Sequence, residues 1–118
     1  MPNLVISVPS DELAHDLGDL PDGVDVIVWP MDAPAPVDRL DMVVPPYMSM
    51  ATVLERLRGV DVGLVQGQSI GFEGIAELLP EGLVFANASS VHETSTAELA
   101  LALTLAAQRQ LPGFVVAQ

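Results

Sequence analysis

Apolar residues along this chain come in short runs, and polar or helix-breaking residues close nearly every one. Leu4 to Val8 is a β-branched run that Pro9 ends, and it reads as a strand. Ser10 then stands where a helix cap belongs, with Asp11 and Glu12 where the helix dipole favours anions. Leu13, Ala14 and Leu17 follow at helical spacing up to Gly18. Val24 to Trp29 predicts a second strand, Pro30 to Pro36 a proline-rich loop, and Asp41 to Pro45 a third strand. Ser49 is expected to cap a helix through about Leu57, with Arg56 and Arg58 in or near its last turn and Gly59 as its stop. Val62 to Gln66 predicts a fourth strand, followed by a glycine-spaced turn and a short helix to Leu79, ahead of Pro80. Leu83 to Asn87 predicts a fifth strand, and the last helix is expected to begin near Thr96.

The strands are short and continuously apolar rather than alternating, as strands covered on both faces are. Strands that alternate with helices imply a parallel sheet wound by right-handed crossovers. The expected fold class is therefore α/β: a flavodoxin-like, three-layer fold with a five-stranded parallel sheet. It is expected to end in a long apolar helix, since Leu99 to Ala107 is interrupted only by Thr104. That run is too short for a membrane span and reads as a buried core helix.

Composition narrows the function classes. The 118 residues carry 16 Asp and Glu against four Arg and no Lys, a formal net charge of −12. Phosphate backbones need clustered cations, so no nucleic-acid partner is expected, and an anionic membrane surface is disfavoured for the same reason. The chain has no cysteine, which removes disulfides and thiolate metal sites and agrees with a cytoplasmic location. The N-terminal segment lacks a basic region, and its apolar run is too short for a signal peptide. Two separated histidines give no metal-ligand spacing, so no metal site is expected.

In an open parallel sheet, ligands collect at the carboxyl ends of the strands. The residues there are Pro9-Ser10, Pro45-Pro46-Tyr47, Gly67 to Gly74, and Asn87 to Ser95. The loop GQSIGFEG contains S-x-G-x-x-G from Ser69, one residue short of the dinucleotide fingerprint, and no acidic residue ends the next strand to hold a ribose. It does not read as a cofactor cradle. It reads either as an ordinary βα turn, or as successive N–H groups able to grip a small anion such as a carboxylate. Ser95-x-x-Glu98 has the spacing of a capping box, which makes Glu98 a helix cap rather than an acid catalyst. His92 lies in the polar loop before it, with no serine or carboxylate placed by sequence to form a triad; His15 lies on a polar helix face.

The second half of the chain resembles the N-terminal half of the D-isomer-specific 2-hydroxyacid dehydrogenases. The resemblance rests on Ser69, Gly71, Glu73 and Ile75 in an [S/A]-x-G-x-[D/E]-x-[I/L] turn, on Pro80 to Leu83, and on Thr96 to Arg109, in that order. It covers residues 60–118 well and the earlier part by fold only. It implies a flavodoxin-like substrate-binding domain over residues 1–94, and an interdomain helix over 95–118 leading to a Rossmann domain. It implies hydride exchange between NAD or NADP in the full-length enzyme and a small 2-oxo or 2-hydroxy acid. Substrate binding then falls to Ser69, Ile70 and Gly71, with the amides of Ile70 and Gly71 on the carboxylate, and a weaker role to His92; Thr96 touches the nicotinamide end of the cofactor. The family's catalytic Arg, Glu and His, and its glycine-rich loop, match nothing in these 118 residues, and His92 is not that histidine. The isolated chain is thus expected to be an inactive substrate-binding part of an NAD(P)-dependent enzyme, with no cofactor bound to it. Homodimers are expected, through the last helix or an uncovered sheet face. A stand-alone flavodoxin-like binding or signalling module is the alternative. A receiver would need an aspartate ending the third strand and a lysine after the fifth, and this chain has neither. A catalytically idle, corepressor-like relative would keep the same fold.

Overall fold

The five apolar runs become five parallel strands: β1 Leu4–Val8, β2 Val24–Val28, β3 Arg39–Val43, β4 Asp61–Gln66 and β5 Phe85–Ala86. They form one sheet in the order β2-β1-β3-β4-β5. The structure, a computed structural model, describes residues 2–117. The chain divides into two compact units, Met1–Ala88, which holds the sheet, and Ser89–Gln118.

Within the first unit, helix α1, Asp11–Asp16, starts as expected: the Ser10 hydroxyl accepts the Leu13 N–H at 3.2 Å. Three other expectations are corrected. β3 begins two residues earlier, at Arg39, and ends at Val43. Arg39 holds this end as a cross-strand pair, with its guanidinium 3.3 Å from Asp61 and 3.0 Å from Asp41. At the other end Val44 still donates to Ser7 O at 2.9 Å, but Pro45 has no N–H to continue the ladder. The helix after Ser49 is not one α-helix. It is α2, Met50–Val53, continued by a 3₁₀ turn over Leu54–Leu57. Ser49 makes no side-chain cap; its carbonyl instead accepts the N–H and hydroxyl of Thr52 at 2.9 and 2.8 Å. The tightening has a packing reason: Leu54 and Leu57, three apart, are both fully buried, and residues three apart align in a 3₁₀ turn. β5 is shorter than expected, and Val84 O and Ala86 O accept the N–H groups of Val65 on β4 and of Gly67 just past its end, at 2.8 and 2.7 Å. Helix α3, Ile75–Leu78, lies between β4 and β5.

The core gathers Trp29, Met31, Leu40, Val43, Leu54, Leu57, Val62, Val65 and Ile75. The proline-rich loop closes over it. Met31 is fully buried at φ +61°, and the Trp29 indole donates to Ala33 O at 3.0 Å. Leu40 and Val43 are three apart yet share this core, as do Val62 and Val65. Strict alternation would send residues three apart to opposite faces. The sheet is irregular between them: the register pairs Leu40 with Val62 and Met42 with Leu64, and skips Asp41 and Gly63. Here the Asp41 carboxylate, rather than a backbone carbonyl, accepts the Val5 N–H at 2.9 Å. A Cβ on Gly63 would lie 2.7 Å from Asp41 O, so the close approach requires glycine.

The second unit holds two helices, α4, Glu93–Gln108, and α5, Leu111–Val116. An interdomain helix was expected over 95–118. Gln110 instead takes the left-handed conformation, φ +53°, just before Pro112, and residue 118 lies outside the described residues. α4 also starts earlier than Thr96, so the Ser95–Glu98 capping box does not form. Ser95 already sits inside the helix, its hydroxyl donating to His92 O at 3.0 Å. Ser90-x-x-Glu93 has the same spacing five residues earlier, and the Glu93 carboxylate accepts the Ser90 N–H. The expected burial of α4 is not seen either: Leu99, Leu101, Leu103 and Leu105 are 55–62 % exposed. Among the described residues no helix is long and apolar enough to cross a membrane.

Candidate functional site

All five strands are parallel, so their carboxyl ends open on one edge of the sheet. Two exits are occupied by the protein's own bonds. At the end of β1, Ser10 is committed to capping α1. At the end of β3, Pro45 O accepts Gln68 Nε2 at 2.8 Å, which ties this exit to that of β4. The β4 exit, residues 66–74, is where donors are left over.

The turn after β4 is braced through its carbonyls. Ser69 O accepts the Ala88 N–H at 2.9 Å, and Ile70 O accepts Asn87 Nδ2 at 2.8 Å. The Ser69 hydroxyl lies 3.4 Å from Gly71 O, a long contact. Gln66 adds a second brace, its Nε2 donating to Gly67 O at 3.0 Å and Asn87 O at 3.1 Å. The backbone N–H groups of Ile70 and Gly71 meet no acceptor among the described residues. Ile70 is 41 % exposed, and Gly71 is exposed as well. Fixed carbonyls beside free, adjacent N–H groups are the arrangement that holds an anion by backbone alone. Gly74 closes the turn at φ +75°, a conformation that favours glycine.

One group opposes an anion here. Glu73 Oε2 accepts the Phe72 N–H at 3.0 Å, and a Cβ on Gly71 would lie 3.1 Å from that oxygen. The turn therefore suits a monoanion held by hydrogen bonds. It does not suit a pyrophosphate, whose two charges would meet this carboxylate with no lysine in the chain to offset it.

Just beyond the turn lies an apolar cleft of about 420 Å³. Phe72, Ile75, Ala76 and Leu79 line it from the α3 side, Phe85 and Ala86 from β5, and Asn87 lies at its polar end. The Phe85 ring packs against Gly67, where a Cβ would come within 2.7 Å of it and push the ring aside.

Of the residues expected at a site, Ser69, Ile70 and Gly71 come together in this one turn. His92 and Thr96 belong to the second unit, where they meet each other at the start of α4. The His92 carbonyl accepts the Thr96 N–H at 3.0 Å, and His92 is the cap residue without a side-chain capping bond. Among the described residues, no group of three or more His, Asp or Glu side chains is placed to hold a metal. Sequence reasoning missed the amides Gln66, Gln68 and Asn87, which position the turn. Their signal was present, since two amide side chains bracket Gly67 and a third ends the next strand. Compared with protein-family models, curated proteins and solved structures, the chain matches none.

Proposed function

We propose that this chain is the substrate-binding part of an NAD(P)-dependent oxidoreductase acting on D-2-hydroxy acids and their 2-oxo counterparts. The observation that carries the reading is the turn itself, with carbonyls tied back and the Ile70 and Gly71 N–H groups free. In this reading those amides grip the substrate carboxylate and fix the orientation of the neighbouring C2 carbon. The strand order β2-β1-β3-β4-β5 supports the finer assignment of a flavodoxin-like substrate domain. The nicotinamide ring, when bound, gives or takes the hydride at C2. The β4 turn does not fit the dinucleotide's pyrophosphate, so the reading gives this chain one cofactor contact, the Thr96 hydroxyl near the nicotinamide end, with α4 as the connection between domains. His92 is assigned a secondary contact to the substrate. By this reading the 118 residues bind acid without oxidising NADH.

The experiment is a comparison of pyruvate with methyl pyruvate, which keeps the oxo group and masks the charge. Binding of pyruvate with loss of binding for the ester is the expected result. Equal binding of the two would remove the carboxylate from the recognition, and would turn attention to the alternative of a stand-alone binding module, which the apolar cleft favours.

A further inference from the structure

The cleft beside the turn belongs to none of the contacts assigned so far. It begins one residue beyond Gly71, because Phe72 both follows the turn and lines the cleft. Asn87, which lines the cleft, also donates to Ile70 O, so the cleft adjoins the turn that would hold a carboxylate. The lining carries no charged side chain. Its one polar side chain, Asn87, is committed, with Nδ2 donating to Ile70 O at 2.8 Å. A hydroxyl or second carboxylate entering here would lose water and gain little in return. An apolar group would instead cover the Phe72 ring, which is 62 % exposed, and would rest on Ile75, Leu79 and the Phe85 ring. The volume lies within the roughly 300–1,000 Å³ of small-molecule pockets.

We propose that this cleft takes the side chain of the 2-oxo acid, and that the chain selects acids with a branched apolar or aromatic side chain over short or polar ones. The proposal rests on the carboxylate reading of the Ser69–Gly71 turn. The two phenyl rings, Phe72 and Phe85, favour an aromatic occupant, since ring pairs gain beyond their buried area. Burying a benzyl or isobutyl group is worth about tenfold or more in affinity.

The test is binding of phenylpyruvate, 4-methyl-2-oxopentanoate and pyruvate to the 118-residue chain, followed residue by residue by NMR. Phenylpyruvate is expected to bind about tenfold more tightly than pyruvate. It should shift the Ile70 and Gly71 amides and give ring-to-methyl contacts with Ile75 and Leu79. Ala76→Phe, at an exposed helical position, fills the cleft and should abolish the preference for phenylpyruvate over pyruvate. The contacts to Ile75 and Leu79 are read in the unsubstituted chain, so the test does not depend on the variant's folding. Equal affinities, with the turn amides shifting for every acid, would overturn the cleft and leave the carboxylate reading standing. Turn amides that respond to no acid would overturn the carboxylate reading, and the proposal with it.

Discussion

Glu73 is the residue on which the candidate site depends most sensitively. Its carboxylate stabilises the turn by accepting the Phe72 N–H, yet it places a negative charge beside the two free donors. Glu73→Gln keeps an acceptor for Phe72 and removes the charge. It is expected to tighten pyruvate binding by about three- to tenfold, less at high salt because both charges are solvent-facing. Asp41 shows the opposite use of a carboxylate. The Val5 N–H first, and then Arg39, hold its carboxyl below the ordinary range. A depressed folded value adds stability above about pH 4, the unfolded value, and that stability is lost as pH falls through the lower folded value. Asp41→Asn should therefore narrow its stability gap to the parent in urea melts as pH drops below about 4. The turn's glycines could be read from sequence because they sit between an apolar run and a helical one. The residues Glu73 and Asn87 were visible there too, but their bonds to the Phe72 N–H and the Ile70 carbonyl were not, because a polar side chain's partner is fixed only by the fold.

At the scale of elements, the strands were legible because β-branched runs end at Pro, Gly or Asn. Their limits were less so where charge and irregularity decide them. Arg39 opens β3 although it is charged, since Asp61 faces it across the sheet. Gly63, in the interior of β4, marks the irregularity beside Asp41. Gly63→Ala forces the 2.7 Å approach to Asp41 O apart and is expected to cost about 1–3 kcal/mol in thermal or urea denaturation. The start of α4 was misplaced because Ser95-x-x-Glu98 has the spacing of a capping box, whereas the helix begins at Glu93 with His92 as its cap residue. The carboxyl of Glu93 is held low by the N–H of Ser90 first, then by its own N–H and that of His92. Its contribution to this helix start is present at neutral pH and lost in acid, so amide exchange at Thr94 to Thr96 should quicken as pH falls through Glu93's lowered value, once intrinsic rates are divided out.

For the whole molecule, charge and apolar surface are unevenly divided. Most of the net charge of −12 lies in the first unit, while α4 and α5 carry Glu93, Glu98 and Arg109 among exposed Leu99, Leu101, Leu103, Leu105, Leu111 and Phe114. Apolar patches of this kind drive association. The 118-residue chain is expected to dimerise in light scattering, and Leu101→Glu with Leu105→Glu should return it to monomers with the sheet intact. The α/β architecture was legible as a whole because the alternation of runs fixes a parallel sheet. The exposure of α4 was not, because a helix apolar on all sides reads as buried whatever covers it.

The central claim is that a turn of backbone, positioned by Gln66, Gln68 and Asn87, holds a substrate carboxylate. Amide-resolved NMR of the 118-residue chain titrated with pyruvate tests it most directly. The Ile70 and Gly71 amide protons are predicted to move downfield, as new donors do, and to saturate together. Pyruvate that leaves these two amides unmoved while shifting others would contradict the account.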